Sequence, residues 1–593
     1  MRIALLYPPP WKVLPRGAAG VDMAGDFATV PYGLLSLAAE ADRAGHQVKT
    51  VNLSSFAWEE VEGLVRRLDA DVYGLTCFTG NRRGVLLTAD CIREHHPSAH
   101  IVVGGPHVSA MPELTLRHCG AIDTVVIGEG ERTFLELIDR LESGRDPGGI
   151  AGTAWRAVGT IQRAAPRERI GELDSLAPVH EQFAHYMLLT SRGCPGQCTF
   201  CGSEAMWQRK VRFHREQYVL DSLEAMLTRL PVKMIAIKDD TFTVNRSRAL
   251  RICEGIVDRG LNFLWSCDTR ADVLDEELLL AMRLAGCQQI SLGVESGSPE
   301  ILASIRKNTT PEQVIEVTQQ ARKYGLQVRF YMMVGNRGES AKTFQQSLDL
   351  LMSARPNDFI FSVLSVYPGT EEFELLRKRG RFLTARPTGG AAELTERHGR
   401  LTADEFFTGD FMQLWAFPDT PIAEAKAICR WLADRQGVQK YRPLTVAECE
   451  AALHRLPGLH AAHLDLAAAY TYAGRFDDAE RHARLAMELG YPVPAIALNY
   501  LACLAAQRGD LPAARGHLNE AMRQPSPHPI IAANVERMTQ WTEAGGAKAG
   551  RPLELAMRHD FEIIPEPVQP VRPGPIPADF HVWPTPAGVG APA

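Results

Sequence analysis

No stretch of the 593-residue chain approaches the roughly 20 consecutive apolar residues that a membrane helix needs. The opening MRIALLYPPP turns to proline before the apolar core of a secretory leader can form, so a cytoplasmic protein without a membrane partner is expected. Cysteine is sparse as well: twelve in the whole chain are too dilute for a disulfide scaffold. Nor is positive charge in excess. Lys and Arg number 64 against 70 Asp and Glu, with the signs interleaved, so no broad cationic face offers counterion release and nucleic acid is not an expected partner.

What is present implies several domains, because a chain this long outgrows a single core. Over residues 1–158, short β-branched runs (RIALLYP, HQVKTVNL, DVYGLTCF, HIVVGGPH, DTVVIGEG) alternate with helical patterns. That alternation predicts an α/β, doubly wound, Rossmann-like domain with ligand groups beyond the strand C-termini. A polar linker is expected at 159–185. A second β/α series over 186–400 (YMLLTSRG, KMIAIKDD, LNFLWSCD, QISLGVES, QVRFYMMVG, DFIFSVLSVYPGT) predicts a partial (β/α)6, TIM-like barrel. A connecting helical region follows at 401–454. Within 455–545, Gly474-Arg475-Phe476-Asp477-Asp478-Ala479 recurs loosely as Gly509-Asp510-Leu511-Pro512-Ala513-Ala514, 35 residues on. This period predicts tetratricopeptide-like helix pairs, which need a neighbouring surface and should dock on the barrel. A Pro-rich tail occupies 546–593.

The chemistry concentrates in Cys194-Pro195-Gly196-Gln197-Cys198-Thr199-Phe200-Cys201, a C-x3-C-x2-C loop directly after a strand. Three thiolates on one short loop can grip three irons of a [4Fe-4S] cluster and leave the fourth open. Structural zinc takes four protein ligands, so iron-sulfur ligation is the better reading.

These residues resemble the radical S-adenosylmethionine (SAM) superfamily over roughly 185–400. The resemblance implies that SAM chelates the open iron, with contacts from Phe200, from Asp239 and Asp240 at the next strand end, from Arg270, and from Glu295 and Ser296 in Gly293-Val294-Glu295-Ser296. Singly, Arg270 or Glu295 could equally be structural ion-pair residues. Gly335-Asn336-Arg337-Gly338-Glu339 lacks the Pro that many relatives carry before the second Gly.

In the first domain, Thr76, Gly104-Gly105-Pro106-His107 and Gly128-Glu129-Gly130-Glu131 follow strands, where small residues let a large ligand approach the backbone. With Pro31-Tyr32-Gly33-Leu34, this layout resembles the cobalamin-binding domain fused to many radical SAM enzymes. The D-x-H-x-x-G signature that supplies a lower axial His is absent, so His107 is not expected on cobalt. The loop Thr76–Arg83 should pass beneath the corrin. Arg82 and Arg83 would there disfavour a lower ligand, or else cap a helix or bind a cofactor phosphate.

The expected function is methyl transfer from SAM through cobalamin to an unactivated carbon or phosphorus of a small-molecule or peptide substrate, with an external electron donor. The chain resembles most the tryptophan 2-C-methyltransferases of thiopeptide antibiotic biosynthesis. That resemblance implies attack by indole C2, Glu295 at the open iron, and Tyr331 near the indole nitrogen as base or orienting group. The alternatives are methylthiotransfer, with Cys77, Cys91 and Cys119 holding another cluster, and non-methylating cyclisation or rearrangement on the same cofactors.

Overall fold

A computed structural model describes residues 1–9 and 30–557, apart from 55, 184, 231, 380, 387–392, 399, 401, 409–412, 416, 435–442, 526–528 and 547–551. The first domain is built on strands β1 (Arg2–Tyr7), β2 (Gln47–Asn52), β3 (Val72–Thr76), β4 (His100–Gly104) and β5 (Thr124–Val126). These five are parallel, in the order β2-β1-β3-β4-β5, with helices on both faces. The inner strands are therefore covered on both sides, which is why β1, β3, β4 and β5 read as largely apolar runs. The order reverses between β1 and β3, and a ligand crevice is expected beyond the strand ends at that point. An antiparallel hairpin, β6 (Thr153–Ala157) and β7 (Thr160–Arg163), extends the sheet. Its second strand is short and exposed, lacks an apolar alternation, and lies beyond the domain end expected at 158, in the stretch read as linker.

The second β/α unit is an open, all-parallel sheet. Its strands are β8 (Met187–Leu188), β11 (Met234–Ile237), β12 (Leu264–Thr269), β13 (Cys287–Glu295), β14 (Gln327–Val334) and β15 (Asp358–Val363), adjacent in that order. All six correspond to the runs read from sequence. Between β8 and β11 the chain forms a small antiparallel hairpin, β9 (Ser191–Arg192) with β10 (Arg212–Phe213), which pinches the base of the cysteine loop. In the connecting region expected to be helical, helices Ala403–Thr408 and Ile422–Asp434 flank a strand, β18 (Gln413–Trp415), which pairs with β16 (Arg381–Arg386). β16 also pairs with β17 (Glu393–His398). The strand at 413 exists through this long-range pairing, which leaves little local signal.

The C-terminal helices dock on the barrel. One apolar cluster runs from Phe263, Leu278 and Val317 into Leu464, Tyr470, Tyr491 and Ile496. Polar pins flank it: Arg283 donates to Asp465 (2.8 Å), and Arg322 takes both oxygens of Glu448 (2.8 and 2.8 Å). Among the described residues no helix is long and apolar enough to cross a membrane. Of the Pro-rich tail, residues 552–557 are described and 558–593 lie outside the described residues.

Candidate functional site

The cysteine loop begins where β9 ends. Gly193 has φ +100°, and a Cβ there would stand 2.2 Å from the Lys210 carbonyl, so only glycine allows the loop to close on its own stem. Upstream, Asp239 fastens the strand that enters the loop. Its buried carboxylate accepts from the Thr190 amide and hydroxyl (2.6 and 2.6 Å) and from those of Ser191 (3.1 and 2.7 Å). Arg248 also donates to Thr190. Asp239, expected to contact a cofactor, thus has its carboxylate engaged by the protein itself.

Cys194, Cys198 and Cys201 are part-exposed on this loop. The Gly196 amide donates to Cys194 Sγ (3.4 Å). A Cβ on Gly196 would stand 2.8 Å from Arg270 Nη1, 3.2 Å from Cys194 Sγ and 3.9 Å from Cys198 Sγ. Among the described residues no three His, Cys, Asp or Glu side chains gather closely enough to share one metal ion. Burial raises the Cys198 thiol and pushes Cys201 up to about 11, so thiolates here need a positive partner. Iron would supply it. The residues therefore fit a [4Fe-4S] cluster.

Around the loop stand three further charges. Arg270 is held by both oxygens of Asp272 (2.8 and 2.6 Å). Glu295 ends β13 at a register shift and takes φ +68°, a conformation rare for a residue with a Cβ. Its Oε1 accepts from Lys307 Nζ at 3.1 Å, and Lys307 is almost completely enclosed. Burial opposes the charge of Lys307, but Glu295 and the nearby Cys198 outweigh it and raise its pKa. Lys307 is a site residue that pattern reading missed, because a lone lysine in IRKNTT carries no chemical motif.

Ser296 is buried, with its Oγ accepting from the Ser298 amide (3.1 Å) and 3.3 Å from Ser347 Oγ. Phe200 packs beside Ile305, Met333 and Phe373 beneath the loop. Asp240 accepts from Ser203 Oγ (2.6 Å), and burial raises its pKa.

A cavity of about 890 Å³ lies between the two α/β domains. Its first wall is Thr76, Gly104, Gly105, His107, Gly128 and Glu129; the facing wall includes Met187, Trp207, Lys238, Asp240 and Tyr367. Gly105 has φ +109°, and its Cβ would stand 2.6 Å from the Cys77 carbonyl, so the wall can be this thin only with glycine. His107 is buried, its Nδ1 3.1 Å from Thr79 Oγ1, and burial together with the Arg82 charge pushes its pKa down to about 3. It is neutral. A wide, glycine-lined, largely apolar chamber at the switch point fits cobalamin.

The basic pair is divided. Arg82 is buried and donates to the Thr79 carbonyl (2.9 Å), whereas Arg83 is exposed on the helix; the cavity wall here is Phe78, Thr79 and Gly80. Cys77, Cys91 and Cys119 are buried and do not converge, and burial pushes Cys91 and Cys119 up to about 11. The polar floor of the cavity was not foreseen. Lys238 donates to Asp268 (3.1 Å); burial would lower its pKa, but Asp268 and the neighbouring Tyr331 raise it.

The domains are pinned together by charge. Arg192 donates to Glu129 (2.8 Å) and Glu131 (2.7 Å), and Arg212 donates to Glu129 (2.7 Å). Ser36 Oγ and the Ile170 amide complete the two carboxylates. Glu129 thus lines the cavity while its carboxylate binds the barrel. Carboxylates in a small-residue loop that folds inward require partners, and Arg192, adjacent to the cysteine loop, is the partner at hand.

Fold and site together define a radical SAM enzyme with an attached cofactor domain. The Radical SAM superfamily model matches residues 188–351, and the B12 binding domain model matches 25–138. An uncharacterized methyltransferase of Pyrococcus horikoshii is 31% identical over 399 residues, covering 65% of this chain and 85% of the relative. The anaerobic magnesium-protoporphyrin IX monomethyl ester cyclase of Rubrivivax gelatinosus is 28% identical over 381 residues, covering 60% of this chain and 68% of the relative. Among solved structures, the radical SAM methyltransferase TsrM of Kitasatospora setae, with cobalamin and a [4Fe-4S] cluster bound, superposes with a TM-score of 0.55 at 17% identity, covering 70% of this chain and 84% of that one. The chain belongs to the cobalamin-binding radical SAM methyltransferase family. It is a SAM- and cobalamin-dependent methyltransferase whose cofactors are a [4Fe-4S] cluster, cobalamin and SAM.

Proposed function

We propose that this enzyme methylates an unactivated carbon of a small-molecule or peptide substrate, with C2 of tryptophan in natural-product biosynthesis as the specific assignment. The observation that carries the reading is a continuous cavity whose one wall is the glycine loops of the first domain and whose other reaches Gly193, Trp207 and Asp240 beside the cysteine loop. Cobalamin held there supplies a methyl carrier, and the cluster supplies a binding site for SAM.

In this reading Cys194, Cys198 and Cys201 hold iron, and Thr76, Gly104, Gly105, His107 and Gly128 form the corrin wall. Arg270, Asp240 and Ser296 shape the SAM side. Lys307 aims the Glu295 carboxylate toward the cysteine loop. Tyr331, paired in register with Gly293 and Ile360 and close to Lys238, is assigned to the substrate, its phenol orienting an indole nitrogen or, as the phenolate, taking its proton. Arg82, buried under the Thr79 turn, adds fixed positive charge behind the corrin wall.

Incubation with methyl-labelled SAM, cobalamin, an electron donor and free tryptophan tests the assignment. Label on indole C2 is expected; label on another substrate but none on tryptophan ends it. Tyr331→Phe is expected to lower kcat about 10²-fold with iron and cobalt content unchanged. A second reading is favoured by the similarity to a cyclase: the same cofactors would close or rearrange a ring, and the product would then carry no label.

A further inference from the structure

The helical domain carries a polar device that methyl transfer does not use. Asn499, on helix Pro494–Gln507, and Asn534, on helix Pro529–Glu543, are both fully buried. They stand 35 residues apart, the spacing of the Gly474 and Gly509 motifs, and so take the same place in successive helix pairs. Both turn their amides to one segment of this chain, residues 552–557, which belongs to no helix or sheet. Asn534 Oδ1 accepts from the Ala556 amide (2.8 Å) and Asn534 Nδ2 donates to the Ala556 carbonyl (2.7 Å). Asn499 Nδ2 donates to the same carbonyl (3.2 Å), and Asn534 Nδ2 bonds Asn499 Oδ1 (2.8 Å).

A two-point grip on one residue's N–H and C=O reproduces the pairing that a neighbouring β-strand offers, and it reads backbone rather than side chain. The segment has the matching pattern. Leu553 and Met557 are buried and Leu555 is half-buried, while Pro552 and Glu554 face outward. Alternate residues point inward, as period two requires. Leu553 packs with Leu498, Ala502 and Ile531; Met557 joins the apolar cluster shared with the barrel. Two buried asparagines in an otherwise apolar trough are costly unless a backbone satisfies them.

We propose that this trough is a binding groove for an extended peptide with apolar side chains at alternate positions, and that residues 552–557 are its built-in occupant. Such a strap competes with any peptide of that pattern. A covalently attached segment acts at an effective concentration near millimolar, so an external peptide binds weakly until the strap leaves.

The test uses the full-length chain and a fluorescein-labelled peptide with the sequence Pro552–Met557, followed by anisotropy. Leu553→Asp with Met557→Asp should eject the strap while leaving the groove intact. That variant is expected to bind the peptide at least tenfold more tightly than the unaltered chain, and adding Asn534→Ala should cancel the gain. Hydrogen exchange provides the second readout: the strap variant should lose protection at 553–557 while helices Pro494–Gln507 and Pro529–Glu543 keep theirs. Equal peptide binding by strap variant and unaltered chain, gain that survives Asn534→Ala, or loss of protection in both helices together would each overturn the proposal.

Discussion

Replacing Arg192 by Ala tests whether the two α/β domains are held together by buried charge. The guanidinium joins Glu129 and Glu131, and all three side chains are under 10% exposed. Removing one partner of a buried pair costs about 3–5 kcal/mol, because the charge left behind is uncompensated. Arg212 continues to hold Glu129, so the orphan is chiefly Glu131, whose hydrogen bond from Ser36 offsets about 1 kcal/mol. The expected loss is therefore about 2–4 kcal/mol, a factor of roughly 30 to 700 in the opening equilibrium. Arg163, half-exposed and paired with half-exposed Glu113, is the control, with an expected loss below about 1 kcal/mol. Urea titration of both variants, with limited proteolysis between the domains, makes the comparison. The sign with pH follows from Glu131: burial would raise its carboxyl, yet the Arg192 charge and hydrogen bonds hold it below the usual range. Its contribution is present above about pH 4.3 and lost as pH falls through the lower folded value. Arg192→Ala should remove that dependence. Equal urea midpoints for Arg192→Ala and Arg163→Ala would refute the reasoning.

Cys198→Ala should abolish cluster absorbance and iron binding while cobalt binding persists; unchanged brown colour would show that the loop is not the ligand. Gly105→Ala meets the Cys77 backbone at 2.6 Å with φ +109°, so cobalt retained per chain should fall several-fold, checked by metal analysis. His107, His180 and His214 are pushed down by burial, to about 3, 4 and 4. Unfolded histidines protonate near 6.5, so stability should decline as pH drops from 6.5 toward 4, and an unfolding midpoint flat over that interval would contradict it.

The architecture was largely legible because its signals are local. Most of the five parallel strands of the first sheet and the six of the second are apolar runs, and that pattern depends only on which faces are buried. The cysteine loop was legible for the same reason: three ligands within eight residues need no tertiary knowledge to be read together. Short, polar or pairing-dependent elements were not, such as β7 and the strand at 413.

Local sequence, then, determined the strands, the glycine turns and the spacing of the thiols, since each follows from backbone sterics or chain proximity. Tertiary structure alone decided how charges met. Arg192 with Glu129 and Glu131, Lys307 with Glu295, and Asn534 with Ala556 are separated by between 12 and 63 positions. A buried polar group must find a partner, but which one it finds depends on how the domains pack. The same packing turned Asp239 toward Thr190 and separated Arg82 from Arg83, because a side chain's role is set by what surrounds it once water has been excluded.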